Sequence, residues 1–486
     1  MEKKDLKPAG VFKYFEEICQ VPRPSKKEEK MIAYLKAFGA KHNLETKVDE
    51  VGNILIKKPA TPGKENLQTV VLQSHIDMVC EKNNNVQHDF LTDPIETEID
   101  GEWLKAKGTT LGADNGIGVA TELAILADDT IEHGPLECLF TVDEETGLTG
   151  AFALKEGFMS GDILLNLDSE DEGEIFIGCA GGIDSVAEFT YKDIEVPAGY
   201  FFFKVEVKGL KGGHSGGDIH LGRGNANKIL NRFLTRIANK HDLYLCEING
   251  GNLRNAIPRE AYAICAVPED AKHDVRTELN IFASEMEDEL SVVEPDLKLV
   301  LESEAPRKTA IDQGTTDRLL KALYAAPHGV YAMSQDIPGL VETSTNLASV
   351  KMKPNNVIRI ETSQRSSILS ARNDMANTVR TVFLLAGANV TFGEGYPGWK
   401  PNPHSAILEV AAESYKRLFG VDAKVKAIHA GLECGLFLDK YPALDMISFG
   451  PTLTGVHSPD ERMLIPTVDK FWKHLLDILV HVPAKK

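Results

Sequence analysis

Three consecutive acids, Asp143-Glu144-Glu145, stand directly after the apolar run Leu136-Glu137-Cys138-Leu139-Phe140-Thr141-Val142. Ionised carboxylates are costly to bring to the edge of a core unless a cation compensates them. Three further apolar runs end in the same way. His75 and Asp77 follow Thr69-Val70-Val71-Leu72, and Asp168 ends Ile163-Leu164-Leu165-Asn166-Leu167. His457 follows Met446-Ile447-Ser448-Phe449 after a short loop. Four apolar strands thus each deliver His, Asp or Glu at or just past the carboxyl end, the edge where open α/β sheets build their sites. Gathered there, these side chains suit a hydrolytic metal centre.

The donors are oxygens and imidazoles with no grouped thiolates, which suits zinc, manganese or cobalt, with zinc favoured by imidazole. Two metals about 3.5–4 Å apart need one bridging carboxylate. Asp114, in Leu111-Gly112-Ala113-Asp114-Asn115-Gly116, is the best candidate, since the flanking glycines let backbone approach closely. The same Asp equally suits an N-cap on the helix that starts after it. Of the neighbours Glu144 and Glu145, one can bind metal while the other faces the activated water as a general base. Asp77 lies two residues after His75, on the same face of an extended segment. There it can orient the His75 ring or simply be solvated. The run Gly212-Gly213-His214-Ser215-Gly216-Gly217 lacks the Lys-Ser/Thr of a phosphate loop. His214 in it fits a hydrogen bond to a substrate oxygen, and a flexible hairpin is the alternative.

Positioning these groups takes a large chain. The 486 residues are 43% hydrophobic, enough for more than one core. With 53 basic and 72 acidic residues the formal charge is −19, which argues against a nucleic-acid or anionic-membrane partner. Seven cysteines without a CxxC pair suit reduced thiols, and the chain starts without an apolar signal segment. A cytoplasmic protein is the expectation.

Val11, Phe12, Phe15, Ile18 and Cys19 are spaced as one helix face, and Ser25 with Glu28 reads as a capping box for the next helix. Strand and helix signals then alternate to about residue 180, which predicts an α/β fold with a mostly parallel sheet sandwiched by helices. Beyond Ala180-Gly181-Gly182 the pattern changes. Phe203, Val205 and Val207 alternate with Lys204, Glu206 and Lys208, a strand with one wet face. This part reads as a separate α+β module, and the breaker-rich Gly393–Pro401 segment as the linker out of it. The expected division is residues 1–184 and 396–486 for the metal-binding domain, with 185–395 inserted.

The runs His75-Ile76-Asp77-Met78-Val79-Cys80, Gly112-Ala113-Asp114-Asn115-Gly116, Asp143-Glu144-Glu145-Thr146-Gly147, Gly212-Gly213-His214-Ser215-Gly216 and His457-Ser458-Pro459-Asp460-Glu461 together resemble the di-zinc exopeptidases, the family of aminoacylases, carboxypeptidases and dipeptidases. The likeness spans nearly the whole chain. It implies two Zn2+, with Co2+ or Mn2+ as substitutes, and an insert serving as lid and dimerisation domain of a homodimer. His75 and Asp168 would bind one metal, Glu145 and His457 the other, with Asp114 bridging through a cis Asp114–Asn115 peptide. Glu144 would be the base and Asp77 the orienter of His75, while His214 would contact the scissile carbonyl. Arg365 and Asn255 match substrate-binding positions of the insert. Met78–Asn83 and His429-Ala430-Gly431-Leu432-Glu433-Cys434-Gly435 are particular to a dipeptidase branch acting on small peptides, and imply dipeptides ending in histidine, including β-alanyl-histidine. His429 and Glu433 would contact the substrate's ends. An aminoacylase or other amidohydrolase on the same scaffold is the enzymatic rival. A metal-dependent binding protein without catalysis is the other, and Glu144 argues against it.

Overall fold

The computed structural model describes residues 3–485. The chain divides into two units. One comprises the residues up to Cys179, Trp399–Ala427 and those from Leu432 onward. The other comprises Ala180–Gly398 and Ile428–Gly431.

The first unit is built on an eight-stranded mixed sheet. At its centre Leu136–Thr141, Val70–His75, Ile163–Asn166 and Asp445–Ser448 lie side by side and parallel. Leu136–Thr141, Val70–His75 and Ile163–Asn166 are buried along their whole length. Such uninterrupted burial requires cover on both faces, which is why these strands read as apolar runs and not as alternations. The helix Ala113–Ala127 packs on Val70–His75 and against Ala9–Cys19, while Ala406–Phe419 packs against Ile465–His481. A separate four-stranded sheet joins Leu453–Thr454, Arg462–Leu464, Trp103–Ala106 and Thr97–Asp100. The hairpin between its first two strands carries His457.

The capping box does not form. Ser25 Oγ donates to Asp77 Oδ2 at 2.7 Å, and Glu28 Oε1 accepts the backbone N–H groups of Lys26 and Asp143. The helix starts at Glu29 without a side-chain cap. Tertiary partners of charged or buried groups outcompete a local cap worth about 1 kcal/mol.

The second unit holds a nine-stranded antiparallel sheet with an internal duplication. Tyr200–Lys208, helix Ala226–Lys240, Tyr244–Gly250, Ala261–Pro268, helix Lys272–Leu290 and Lys298–Ser303 form one β-α-β-β-α-β run. Gly181–Thr190, helix Gln313–Ala325, Val341–Lys353, Val357–Ser366, helix Leu369–Leu385 and Asn389–Phe392 form the other. In each run the strands lie in the order fourth, first, third, second. The two runs meet by antiparallel pairing of their second strands, Asn249 opposite Lys351 and Gly250 opposite Val350. The first run is inserted into the second, between its first strand and first helix. A ribbon, Asp193–Glu195 against Thr309–Ile311, closes the entry and exit of that insertion. Phe203, Val205 and Val207 face a common core with Phe233, Phe282 and Phe383 from the helices, while Lys204, Glu206 and Lys208 stay half-buried.

Candidate metal centre

Parallel pairing brings the carboxyl ends of the four central strands to one edge. His75 is the last residue of its strand, and Asp168 lies two residues past Ile163–Asn166. Glu144 and Glu145 open a short helix, Glu144–Gly147, just after Leu136–Thr141. Asp143 makes that reversal in the left-handed region, φ 47°, with its carboxylate accepting the hydroxyls of Thr146 and Thr149. Of the three consecutive acids, the first is therefore spent on the turn.

Asp114 lies between two imidazoles. Its Oδ1 is 3.1 Å from His75 Nε2, and its Oδ2 is 3.2 Å from His457 Nε2. His75 Nε2 is also 3.4 Å from Asp168 Oδ1, and His457 Nε2 is 3.0 Å from Glu145 Oε2. Asp114 does not cap its helix. Its backbone is non-helical at φ −83°, ψ 108°, the Asp114–Asn115 peptide is cis, and Asn115 Oδ1 accepts the N–H of Gly118 instead. Asp77 Oδ1 stands 3.2 Å from His75 Nδ1, off the line of a hydrogen bond, and accepts the backbone N–H of Glu144 at 3.0 Å.

This donor set is short of positive charge. Burial pushes Asp168 up to about 7; His75 opposes the shift, and Asp114 and Glu145 add to it. Burial also lifts the Glu144 carboxyl well above its ordinary value, against His75 and with Asp168, Glu145 and Glu433. Burial alone would depress the His75 imidazole, but Asp168, Asp114 and Asp77 overrule it and hold it well above its ordinary value. Hydrogen bonds to Asp114 and Glu145 raise His457 to about 11. Glu145 Oε1 is buried without a partner. Protons on the imidazoles thus stand where cations fit. His75, Asp114 and Glu145 each present a ligand atom within 4.8 Å of the others, and with Asp168 and His457 they could hold divalent metal. Metal binding there would displace those protons. A second acidic group, Glu28, Asp77 and Asp143, is already committed to backbone and hydroxyl donors.

Glu433 also belongs to this unit. Its Oε2 accepts from Gln73 at 2.6 Å and Thr141 at 2.8 Å, its Oε1 has no partner, and burial raises it to about 8. Glu170, which the sequence reading passed over, is raised to about 8 by burial and by Asp114 and Asp168. It lies two residues after Asp168, so the spacing that singled out Asp77 after His75 would have found it.

The remaining candidates lie in the second unit. His214 Nδ1 accepts the N–H groups of Gly217 at 3.0 Å and Gly216 at 3.3 Å. Burial, with Arg365 nearby, lowers it to about 4, so the neutral ring carries its proton on Nε2 and offers a donor. Arg365 is buried, donates to Tyr396 Oη at 2.9 Å and Ser215 Oγ at 3.4 Å, and has no acidic partner among the described residues. His429 Nε2 lies 2.7 Å from Ser344 Oγ, and burial with Arg365 lowers that ring to about 3. Gly216 is glycine for a steric reason, since a Cβ there would lie 2.1 Å from the His429 carbonyl oxygen. The Asn255 backbone accepts from Ser215, while its side chain is exposed.

The profile of Peptidase family M20/M25/M40 matches residues 71–481. The chain belongs to that family and is a hydrolase. It is 47% identical over 484 residues to the cytosol non-specific dipeptidase of Escherichia coli K12, covering the whole of both chains. The crystal structure of aminoacylhistidine dipeptidase from Vibrio alginolyticus matches it at a TM-score of 0.92 and 46% identity, over 100% of this chain and 99% of that one. A tripeptidase from Staphylococcus aureus shares the fold, with a TM-score of 0.57 and 16% identity over 98% of this chain and 99% of that one.

Proposed function

We propose that the chain is a cytoplasmic metallo-dipeptidase that binds two Zn2+ and cleaves dipeptides ending in histidine, including β-alanyl-histidine. The observation that carries the reading is the Asp114 carboxylate, whose two oxygens face two different imidazoles. The full-length likeness to two dipeptidases supports the substrate class. His75 and Asp168 would hold one ion, Glu145 and His457 the other, and Asp114 both. When bound, the pair supplies Lewis acidity, acidifying water and polarising a carbonyl.

The chain's own residues do the rest. Glu144 takes a proton from the attacking water and returns it to the leaving amine. Asp77 fixes the His75 ring and the Glu144 backbone. His214 would offer its Nε2–H to the scissile carbonyl oxygen, Arg365 would take the substrate's C-terminal carboxylate, and Asn255 would be a further substrate contact. His429 and Glu433 serve the substrate's ends. A homodimer completes the reading, and sedimentation checks it.

The test is turnover by zinc-loaded protein of Xaa-His dipeptides, acylated amino acids and tripeptides. Dipeptides with a free carboxylate should be cleaved fastest. Preference for acylated amino acids would replace the reading with an aminoacylase, and metal uptake without any turnover would replace it with a binding protein.

A further inference from the structure

The loop Leu111–Asp114 is gripped by two buried charges. Glu461 Oε2 accepts the backbone N–H groups of Leu111 at 2.7 Å and Gly112 at 2.9 Å. Its Oε1 accepts those of Ala113 at 2.8 Å and Asp114 at 3.3 Å. One carboxylate thus receives four consecutive backbone donors, an anion seated in a backbone cradle. From the other side Arg23 Nη2 donates to the Gly112 carbonyl at 2.5 Å, while Nη1 donates to the carbonyls of Ile76 at 3.2 Å and Asp77 at 2.9 Å. Both side chains are 2% exposed. Gly112 is therefore held through its N–H by one charge and through its C=O by the other.

Each charge ties the loop to a different donor. Arg23 links it to the strand end that carries His75 and Asp77. Glu461 links it to the hairpin between Leu453–Thr454 and Arg462–Leu464 that carries His457. That hairpin is itself paired to Trp103–Ala106, just upstream of the loop. The glycines around Asp114 follow from the same grip. A Cβ on Gly112 or on Gly116 would lie 2.6 Å from Arg23 Nη2. The Gly-Ala-Asp-Asn-Gly spacing thus leaves room for a guanidinium.

We propose that Arg23 and Glu461 are positioning residues that clamp the Leu111–Asp114 loop between the His75 strand and the His457 hairpin, and so hold one carboxylate where both imidazoles can share it. Neither touches the proposed ligand atoms. The inference rests on the two-metal reading above and adds the element that makes the site dinuclear. Hydrogen-bonded supports of this kind typically change metal affinity 10- to 100-fold.

Zn2+ affinity, measured by competition with a chromophoric chelator on the full chain, and the electron paramagnetic resonance of the Co2+-loaded protein test it. Glu461→Gln keeps the shape but turns an amide NH2, itself a donor, toward two N–H donors. Gly116→Ala pushes at the Arg23 guanidinium, the flexible partner in that contact. Both variants should keep the parent's circular dichroism, bind both Zn2+ ions 10- to 100-fold more weakly, and lose the coupling between paired Co2+ ions. Folded variants with parental affinities and parental coupling would overturn the clamp, and so would failure of both to fold with zinc present, since the pair would then be a folding element. If the parent chain itself binds fewer than two ions, the two-metal reading fails first, whatever the variants do.

Discussion

Asp77 accepts the backbone N–H of Glu144 at 3.0 Å through the same Oδ1 that stands 3.2 Å from His75 Nδ1. Its Oδ2 accepts Ser25 Oγ at 2.7 Å and the Glu145 N–H at 3.3 Å. One fully buried carboxylate therefore faces the His75 ring and holds the turn that presents the two glutamates. Burial would raise its pKa, but His75 and these donors hold it below its ordinary value.

Asp77→Asn should disturb both functions at once. The amide keeps one acceptor oxygen and loses the charge that faces His75. Metal affinity should fall about 10- to 100-fold. kcat should fall further than metal loss explains when measured at saturating zinc. Chelator competition beside steady-state kinetics checks it, and a pure affinity loss would mean that Asp77 acts on His75 alone.

Glu144→Gln separates rate from metal. The glutamine keeps the shape of the turn but cannot take a proton. kcat should fall at least ~10²-fold, the low end for loss of a general base, while inductively coupled plasma mass spectrometry finds two ions per chain. Normal turnover would assign the base to another group.

Arg365 has no acid to neutralise it among the described residues, and under the proposed function a substrate carboxylate would be its partner. Peptide acids should be better substrates than the matching amides. Arg365→Ala should erase most of that difference. A charged hydrogen bond contributes about 1.5–3 kcal/mol, roughly ten- to a hundred-fold in kcat/KM. Equal cleavage of acid and amide by the parent enzyme would reject the carboxylate role.

Glu122 makes stability depend on pH. It is fully buried, its Oε1 accepts Ser74 Oγ at 2.6 Å, and Cys138 lies beside it. Burial holds its pKa well above the ordinary value of 4.5. The folded state therefore keeps a proton that the unfolded state releases. That contribution is complete below about pH 4.5 and is lost as pH rises through the folded-state value. Glu122→Gln should gain stability relative to the parent as pH rises from 5 to 8, with a limiting slope of about 1.4 kcal/mol per pH unit. Urea unfolding of both proteins across that range checks it, and parallel pH profiles would refute it.

The local sequence carries the strands and what stands at their ends. Burial on both faces turns Val70–His75 and Leu136–Thr141 into apolar runs, and a His or acid after such a run is conspicuous because nothing apolar explains it. The helix Ala9–Cys19 was legible through the period of its buried face. The division of labour among Asp143, Glu144 and Glu145 was not, because a left-handed turn decides it, and Asp143 enters that turn without being glycine.

What only the tertiary structure decided are partners distant in sequence. Ser25 turns to Asp77, 52 residues away, and not to its own helix. Arg23 reaches Gly112 across 89 residues, and Glu461 reaches it across 349. Glu461 closes the run that begins at His457, but no local pattern names its partners or those of Arg23, since these are backbone groups that every residue type possesses. In the second unit one β-α-β-β-α-β run is threaded into the other, and the strand Gly181–Thr190 is cut off from its own helix. Its strands join through backbone hydrogen bonds, which constrain pleat and register but not side-chain identity. The sequence by itself therefore determined which residues are costly to bury and hence where chemistry must lie. The fold decided which of them meet, because that depends on chain crossings that no local pattern encodes.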